Sequence, residues 1–316
     1  MRRLGSSLRG AFPALLFAIA FLPRAVHPVS RPLVWYLRSA HFIDAVLAGD
    51  WANTVYSEHP GVGLMWPVGI GLKIYWTLFD VTPAAYTVPS DFEPIHFFGS
   101  VPVSEIGAGL VPLTLLISLG IVGAYGMLRW LFDEATAVVG GLLLALSPYY
   151  LAQSKVLHLD AWMATLMLLS ALAVLLYRRE RRLRWLLLSG ALGGLALLVK
   201  TSALFLAPFT GLVLLFSQLP DEPMGQSPDH PITHSPRHRV AQHFLLPLAV
   251  WPTVAALVYV ALWPVMWVDP QRGLAAVAWG VTHHATTAHD TPTFFLGRVL
   301  REDPGPLFYG CLLYTS

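Results

Sequence analysis

Long apolar stretches alternate with short polar segments along most of the chain. Three of these stretches, at about 107–128, 135–151 and 161–177, approach the ~17–25 residues with which a helix crosses the hydrocarbon core of a bilayer. The stretch from Phe12 to Leu22 predicts an earlier helix, which we interpret as uncleaved because no small-residue cleavage site follows it. The pattern predicts an all-α, polytopic transmembrane protein.

A further apolar run, 185–216, is interrupted only by Lys200, Thr201 and Ser202. One straight helix of this length would measure about 48 Å, which exceeds a hydrocarbon core of about 30 Å. We therefore expect two short spans that turn at Lys200.

The composition excludes a soluble globular protein. Charged residues make up 12% of the 316 residues and hydrophobic residues 55%, whereas about 25% of an ordinary soluble domain is charged. The formal net charge of +2 is too small to indicate a nucleic-acid partner. The single cysteine excludes an intramolecular disulfide framework.

The segment Tyr177–Arg184 contains five arginines and determines the predicted orientation. The excess of Lys and Arg in cytoplasmic loops places this segment in the cytoplasm. Counting spans from it places 26–106 outside, as a large external first loop with helices lying in the interface plane, and 269–304 outside as a second loop. If 185–216 crossed the membrane only once, every later assignment would invert.

The remaining segments complete a single transmembrane domain over residues 1–316. We expect helical spans over 107–217, a polar, Pro-rich cytoplasmic linker over 218–242 and a span over 243–268. The apolar residues 305–316 resemble the start of a further span, so we expect an N-terminal fragment of a longer protein.

The polar and charged residues collect on the predicted outer side, in the loop 26–106, at Lys155–Asp160, at Lys200 and in the loop 269–304. Charges near lipid require an explanation, and chemistry at the outer boundary on a substrate that is partly lipid is the simplest one. A transporter would more often pair such groups at the bilayer midplane.

Several motifs occur in one order along the chain and resemble those of a known family. They are Trp35-Tyr36-Leu37-Arg38-Ser39, Gly49-Asp50-Trp51, His59-Pro60-Gly61-Val62, Leu146-Ser147-Pro148-Tyr149, Ser154–Ala161, Gly194–Lys200, Phe294–Gly297 and Asp303-Pro304-Gly305. Together they are similar to the protein O-mannosyltransferase-like enzymes, which belong to the GT-C superfamily of membrane glycosyltransferases.

The resemblance implies an enzyme that transfers a mannose-like hexose from a polyprenyl-phosphate donor to a hydroxyl acceptor on a protein, lipid or glycan. It implies an inverting, single-displacement reaction at the outer face of a bacterial or archaeal plasma membrane, in protein glycosylation or a related process. Two alternatives remain open, namely a transporter or flippase for a lipid-linked sugar and a non-catalytic relative that binds the donor.

The family resemblance implies a catalytic carboxylate pair just before Trp35, but Arg31 and Pro32 occupy those positions. The nearest acids are Asp50 and Asp44, which become the candidate bases that accept the proton of the acceptor hydroxyl. Asp50, beside Trp51, could also be a sugar ligand, since aromatic rings next to carboxylates commonly hold sugars, and the alternative to both roles is a solvated surface acid.

Candidate substrate contacts lie in the first loop and at the predicted outer ends of the spans. Arg38 is a candidate phosphate contact, with a loop ion pair as the alternative. His59, at a tight Pro-Gly turn, is a candidate acceptor contact or a bystander.

Three further candidates, Lys155, His158 and Asp160, lie at the start of a span and suit a phosphate or a sugar. Asp160 could instead cap the helix. Lys200 is the candidate phosphate clamp, with snorkelling to the interface as its alternative. An acid within ~3–5 Å of Lys200 and His158 would favour an enzyme, whereas an acid-free pocket would favour a donor-binding relative.

A histidine group in the second loop raises the question of a metal. His283, His284, His289 and Asp290 fit no standard ligand spacing. We therefore expect no metal and no other cofactor, with a divalent ion as the alternative, and we assign His284 to acceptor or phosphate contact.

Overall fold

The computed structural model describes residues 2–26, 28–29, 33–57, 59–83, 101–216, 245–286, 293–295, 298–300 and 305. Its α-helices are α1 (Arg2–Ala25), α2 (Val34–Leu47), α3 (Val62–Phe79), α4 (Val103–Leu131), α5 (Glu134–Leu146), α6 (Pro148–Ser154), α7 (Leu159–Glu180), α8 (Leu183–Val199), α9 (Leu206–Phe216), α10 (Leu246–Leu262), α11 (Val265–Val268) and α12 (Pro270–Thr286). Short 3₁₀ turns cover Trp51–Asn53 and Thr201–Phe205. Strands β1 (Thr293–Phe295) and β2 (Arg298–Leu300) form an antiparallel pair in which Phe294 faces Val299.

The apolar helices confirm the predicted class of an all-α, polytopic membrane protein. Helices α3, α4 and α7 are each long and apolar enough to cross a bilayer, and α5 with α6, bent by 54° at their break, have together the length and composition of a broken span or a re-entrant loop. The remaining apolar helices, α1 from residue 10, α8, α9 with its preceding 3₁₀ turn, and α10, are shorter.

Small residues let the helices approach closely, as is usual for helices packed within a membrane. A Cβ added to Gly120 of α4 would lie 2.3 Å from Thr165 of α7. Along α8, a Cβ at Gly190 would lie 2.9 Å from the Trp251 carbonyl oxygen of α10, and one at Gly194 would lie 2.5 Å from that of Ala255. These contacts show that α8 and α10 run parallel.

A buried network of polar side chains fastens the same helices. The hydroxyls of Ser170 in α7 and Ser189 in α8 each donate to the other residue's carbonyl oxygen at 2.8 Å. The indole of Trp251 donates to the Ser189 hydroxyl at 2.9 Å. Hydroxyls and indoles buried in this way are satisfied without water.

The run 185–216 does not form one straight helix. Helix α8 ends at Val199, the chain is extended at Lys200 (φ −154°, ψ 139°), and α9 begins at Leu206 after a 3₁₀ turn. This break agrees with the expected turn at Lys200. Whether each half crosses the membrane remains a prediction.

The helix pair α2 and α3 packs across the ends of other helices. Near its start, a Cβ on Gly63 of α3 would lie 2.7 Å from Val199 at the end of α8, and further along Val68 and Leu72 meet Gly109 in the first turns of α4. Loop helices that cover the ends of spans would pack in this way. Helix α3 is also long enough to cross a bilayer by itself, which the sequence did not lead us to expect. Its position relative to a membrane remains a prediction.

The segment predicted as one span over 243–268 is shorter and broken. Helix α10 ends at Leu262, because Pro264 cannot donate the amide hydrogen that would continue a helix. Here the chain docks on the first loop. The Trp263 indole donates to the Thr54 carbonyl at 3.1 Å, and the Val265 amide donates to the Thr54 hydroxyl at 3.0 Å.

This docking bears on the predicted topology. Arg272 of the second loop also donates to the Asn53 side-chain oxygen of the first loop at 3.2 Å, so parts of the loops 26–106 and 269–304 meet at one end of the bundle. A chain that crosses twice between Trp185 and Phe216 would bring the two loops to the same side, and this topology remains a prediction. The second loop also contains a helix, α12.

Candidate functional site

Helices α7 and α8 form a hairpin, and the arginines of 177–184 lie in and next to its turn. The start of α7 and the end of α8 lie at the opposite end of this hairpin. There Lys200 Nζ lies 2.9 Å from Asp160 Oδ1, and His158 Nδ1 lies 3.2 Å from Asp160 Oδ2. We name His158, Asp160 and Lys200 the Lys200 cluster. Their side chains are 26–38% exposed, so the cluster is accessible from outside the protein.

The local structure explains why these residues meet. His158 has extended backbone angles and directly precedes α7, which places Asp160 in the first helical turn. A carboxylate is favoured there by the helix dipole. Both carboxylate oxygens of Asp160 face cationic or titratable side chains, so Asp160 is more than the simple helix cap that the sequence left open.

The turn that carries His59 is anchored beside the cluster. The Gly61 amide donates to the carbonyl oxygen of Val199, the neighbour of Lys200, at 3.2 Å. Gly61 has φ +64°, and a Cβ there would lie 2.2 Å from the ring of Trp35. The Trp162 indole of α7 donates to the Gly63 carbonyl at 3.0 Å. The chain therefore needs glycine at position 61 for both its backbone angle and its close approach.

Arg38 connects α2 to the same turn. Its guanidinium lies over the Trp35 ring, 4.8 Å from the centroid, and donates to the Ser57 hydroxyl oxygen at 3.1 Å. That oxygen also accepts from the His59 amide at 3.2 Å. The Arg38 side chain and the His59 amide thus share Ser57 as a partner, so these two candidate contacts of the first loop lie close together.

Lys155 is linked to the chain before α2. The Lys155 carbonyl oxygen accepts from the Val29 amide at 3.0 Å, and Lys155 is the residue that caps the carboxyl end of α6. The side chain is half-buried. Its predicted role as a phosphate or sugar contact remains a prediction.

The hydrogen bond and the ion pair described for the two candidate bases, Asp50 and Asp44, involve residues outside the Lys200 cluster. Asp50 is exposed, and its carboxylate accepts from the side-chain amide nitrogen of Asn53 at 2.8 Å, at the junction of the two loops. Asp44 pairs with Lys73 across α2 and α3 at 3.1 Å. Burial, followed by the charges of Asp50 and Asp44, raises the pKa of Tyr56 to about 12, so both acids act on that tyrosine.

Aromatic side chains cover the junction around Asp50. The rings of Trp51 and Trp267 meet edge to face with centroids 5.4 Å apart. Tyr56 donates from its hydroxyl to the His41 carbonyl oxygen at 3.0 Å. Carboxylate and aromatic groups in one exposed place suit a sugar contact, which is the role predicted for Asp50.

Other predicted positions fall outside what the structure describes. Arg31, Pro32, His289 and Asp290 lie outside the described residues, and His284 lies in α12 but its side chain is not among them. Within the described ranges, no group of three His, Cys, Asp or Glu side chains could hold a metal ion.

Two buried charges that join helices were missed by the sequence analysis. Glu105 is 1% exposed and accepts from the Tyr36 hydroxyl at 2.5 Å and from the Trp76 indole at 2.9 Å, so it ties α4 to α2 and α3. Its position as an acid directly before an apolar span was the available signal.

The second missed charge is Arg24, which is fully buried at the end of α1. It donates to the carbonyl oxygens of Ala145 at 3.0 Å and Leu144 at 3.3 Å, in the last turn of α5. These carbonyls lack helical partners because Pro148 interrupts the helix. The Ser147-Pro148 pair was the signal that a donor would be needed there.

Comparison with known proteins supports the class that the fold defines, a polytopic α-helical membrane protein. The family described as dolichyl-phosphate-mannose-protein mannosyltransferase matches residues 95–226, a segment that contains the whole Lys200 cluster. No curated protein and no solved structure matches the chain. The match supports the resemblance seen in the motifs over this segment, which covers less than half of the chain and is similar to that family of mannosyltransferases.

Proposed function

We propose that this protein transfers a mannose-like hexose from a polyprenyl phosphate to a hydroxyl of a protein, lipid or glycan, at the outer face of the membrane. The observation that carries the proposal is the Lys200 cluster, which lies within the matched family segment and at the end of the α7–α8 hairpin opposite the arginine-rich turn. The predicted cytoplasmic position of that turn places the cluster outside.

The chemistry of the leaving group suits this cluster. When a hydroxyl displaces a lipid phosphate from the anomeric carbon, the departing phosphate is anionic and needs cations and hydrogen-bond donors. Lys200 has three N–H donors, of which Asp160 uses at least one. The start of α7 adds the partial positive charge of a helix amino terminus.

We assign Lys200 as the phosphate clamp and Asp160 as the residue that orients it and contacts the sugar. His158 lies beside Asp160 and adds a second phosphate or sugar contact. Arg38 is a proposed phosphate contact and His59 a proposed acceptor contact, because their turn is fastened through Gly61 to Val199, the neighbour of Lys200. Lys155 and His284 remain proposed contacts on the same outer side.

The base is the open element of the mechanism. The acceptor hydroxyl must lose its proton during attack, which a carboxylate within hydrogen-bond reach promotes. An acid, Asp160, lies within 2.9 Å of Lys200 and 3.2 Å of His158, which favours an enzyme. Asp50 remains the proposed base, whereas the pairing of Asp44 with Lys73 supports a structural role for Asp44.

A second function, that of a donor-binding relative without transfer, is favoured by one observation. Both oxygens of Asp160 already face Lys200 and His158, so this carboxylate is committed before any acceptor arrives. Asp50 accepts from Asn53 and Asp44 pairs with Lys73, both outside the Lys200 cluster. A protein arranged in this way would hold the phosphate without activating a hydroxyl.

Both functions are tested in membranes that contain the whole chain, incubated with a panel of labelled polyprenyl-phosphate hexoses. Donor retention and hexose transfer are measured separately. Lys200→Gln removes a charged hydrogen bond of about 1.5–3 kcal/mol, so donor retention should fall by about 10- to 150-fold. Lys73→Gln is the control, because Lys73 also pairs with an aspartate but lies outside the cluster.

The outcomes separate the two functions. Transfer that is lost in Asp50→Asn, with donor retention intact, identifies an enzyme whose base is Asp50. Donor retention without transfer in the wild type identifies a binding protein. If Lys200→Gln and Lys73→Gln retain donor equally well, the cluster is not the phosphate site and the proposal fails.

A further inference from the structure

A second candidate site lies at the arginine-rich end of the bundle, away from the Lys200 cluster. An open cavity of about 490 Å³ lies between α1 and α4. It is lined by Pro13, Val122, Tyr125, Gly126, Arg129 and Trp130. This volume lies in the range of small-molecule sites, about 300–1,000 Å³. Its inner wall is apolar and its rim carries a cation, an indole and a phenol.

The cation at the rim is held in place by a neighbouring acid. Arg129 Nε lies 2.7 Å from Glu134 Oε2, and the Tyr125 hydroxyl donates to Glu134 Oε1 at 2.5 Å. Among the described residues, no side chain or carbonyl accepts from the two terminal nitrogens of Arg129. The Arg129 side chain is 51% exposed, so the guanidinium is oriented by Glu134 and still open to a ligand.

More cations and indoles surround this rim. Arg179 donates to the Trp130 carbonyl at 2.8 Å and also contacts that of Leu131. The guanidinium of Arg184 lies over both Trp130, at 5.5 Å, and Trp185, at 5.0 Å. Indoles and arginines in this combination are typical of the lipid headgroup region, and basic pockets between membrane helices bind anionic headgroups.

We propose that this cavity binds a phospholipid with an anionic headgroup. One acyl chain lies along Pro13, Val122 and Gly126, and the headgroup phosphate accepts hydrogen bonds from Arg129 at the rim. Charge complementarity selects the anionic lipid, because three arginines at the rim, Arg129, Arg179 and Arg184, face two acidic partners, Glu134 and Glu180. The site follows from the cavity and its rim alone and does not depend on the proposed transferase activity.

A pair of glycines on α4 provides a matched test. A Cβ added at Gly126 or at Gly107 meets no atom within 4 Å, so both positions leave room for the first atom of a side chain. Gly126→Leu fills the cavity, whereas Gly107→Leu makes the same change on the same helix, far from it. Arg129→Gln removes the rim charge and keeps a side chain of similar length.

The whole chain is purified in an uncharged detergent, and the binding of phosphatidylglycerol and of phosphatidylcholine with the same acyl chains is measured by native mass spectrometry. The wild type and Gly107→Leu should prefer phosphatidylglycerol. Arg129→Gln should lower its affinity for phosphatidylglycerol about fivefold, the effect of about one surface cation. Gly126→Leu should abolish the bound lipid, while its circular dichroism remains that of Gly107→Leu.

Three outcomes would overturn the proposal. Equal binding of the two lipids by the wild type would exclude selection by charge. Unchanged binding by Gly126→Leu would exclude the cavity. An unchanged preference in Arg129→Gln would show that Arg129 does not contact the headgroup.

Discussion

The turn at Gly61 offers a sharp test of how the first loop is fastened to the bundle. Gly61 and Gly49 both lie in this loop and both have positive φ, +64° and +72°. A Cβ at Gly49 would meet nothing within 4 Å, whereas at Gly61 it would lie 2.2 Å from the Trp35 ring. Alanine at the two positions therefore shares the backbone cost and differs only in the collision.

The size of the difference follows from the surroundings of Trp35. A left-handed backbone costs an alanine about 1–2 kcal/mol, which is the whole effect expected for Gly49→Ala. Trp35 is buried and has Arg38 over its ring, so its indole cannot move aside freely. Overpacking of this kind costs a further 1–3 kcal/mol or so, and we expect Gly61→Ala to lose about 2–5 kcal/mol.

The two variants are compared by unfolding in mixed detergent micelles with increasing sodium dodecyl sulfate, followed by tryptophan fluorescence. In the transfer assay, Gly61→Ala should also lose activity, because the shifted turn carries His59 and is bonded to Val199. Gly49→Ala should retain activity. Equal destabilisation by the two alanines would show that the Trp35–Gly61 contact does not restrain the turn.

Three further predictions concern the bundle and the first loop. Gly194→Leu should destabilise the protein by more than 1 kcal/mol or so through collision with Ala255, whereas Gly211→Leu, with nothing within 4 Å, should be neutral in the same unfolding assay. Glu105→Ala should cost about 2–5 kcal/mol because it leaves two buried donors unpaired, and the loss should largely be restored in Glu105→Gln; equal losses would refute a hydrogen-bonding role. The pKa of Tyr56 is raised from 10.0 to about 12, so folding favours the protonated phenol. The stability that this gives is complete below pH 10 and falls as the pH rises towards 12. Tyr56→Phe should reduce this fall when unfolding is measured at pH 9 and 11.

The break at Lys200 could be predicted from the sequence because it depends on local physics. An apolar run too long for one crossing contains one charged residue, and the helix ends there. The class of protein was equally predictable, because composition and span length are properties of the chain itself. The ion pair between Asp160 and Lys200 could not be predicted, since it depends on the antiparallel packing of α7 against α8.

The roles of acids and cations depend even more on partners that sequence does not show. The pairing of Asp44, a candidate base, with Lys73 could not be predicted, because the two residues lie on different helices. Glu105 attracted no attention because its donors, Tyr36 and Trp76, lie on two other helices. Long-range contacts of this kind decide whether a charge near a membrane is structural or chemical.

Arg24 makes a later helix depend on the first one for its hydrogen bonds. The bent pair α5 and α6 has carbonyl oxygens at its break that accept from Arg24, at the end of α1. Unpaired carbonyls in hydrocarbon cost several kcal/mol each. Because Arg24 precedes this break by more than a hundred residues, these carbonyl oxygens gain its hydrogen bonds only when α1 and α5 have packed together. The first helix therefore acts as an internal assembly partner for a later one.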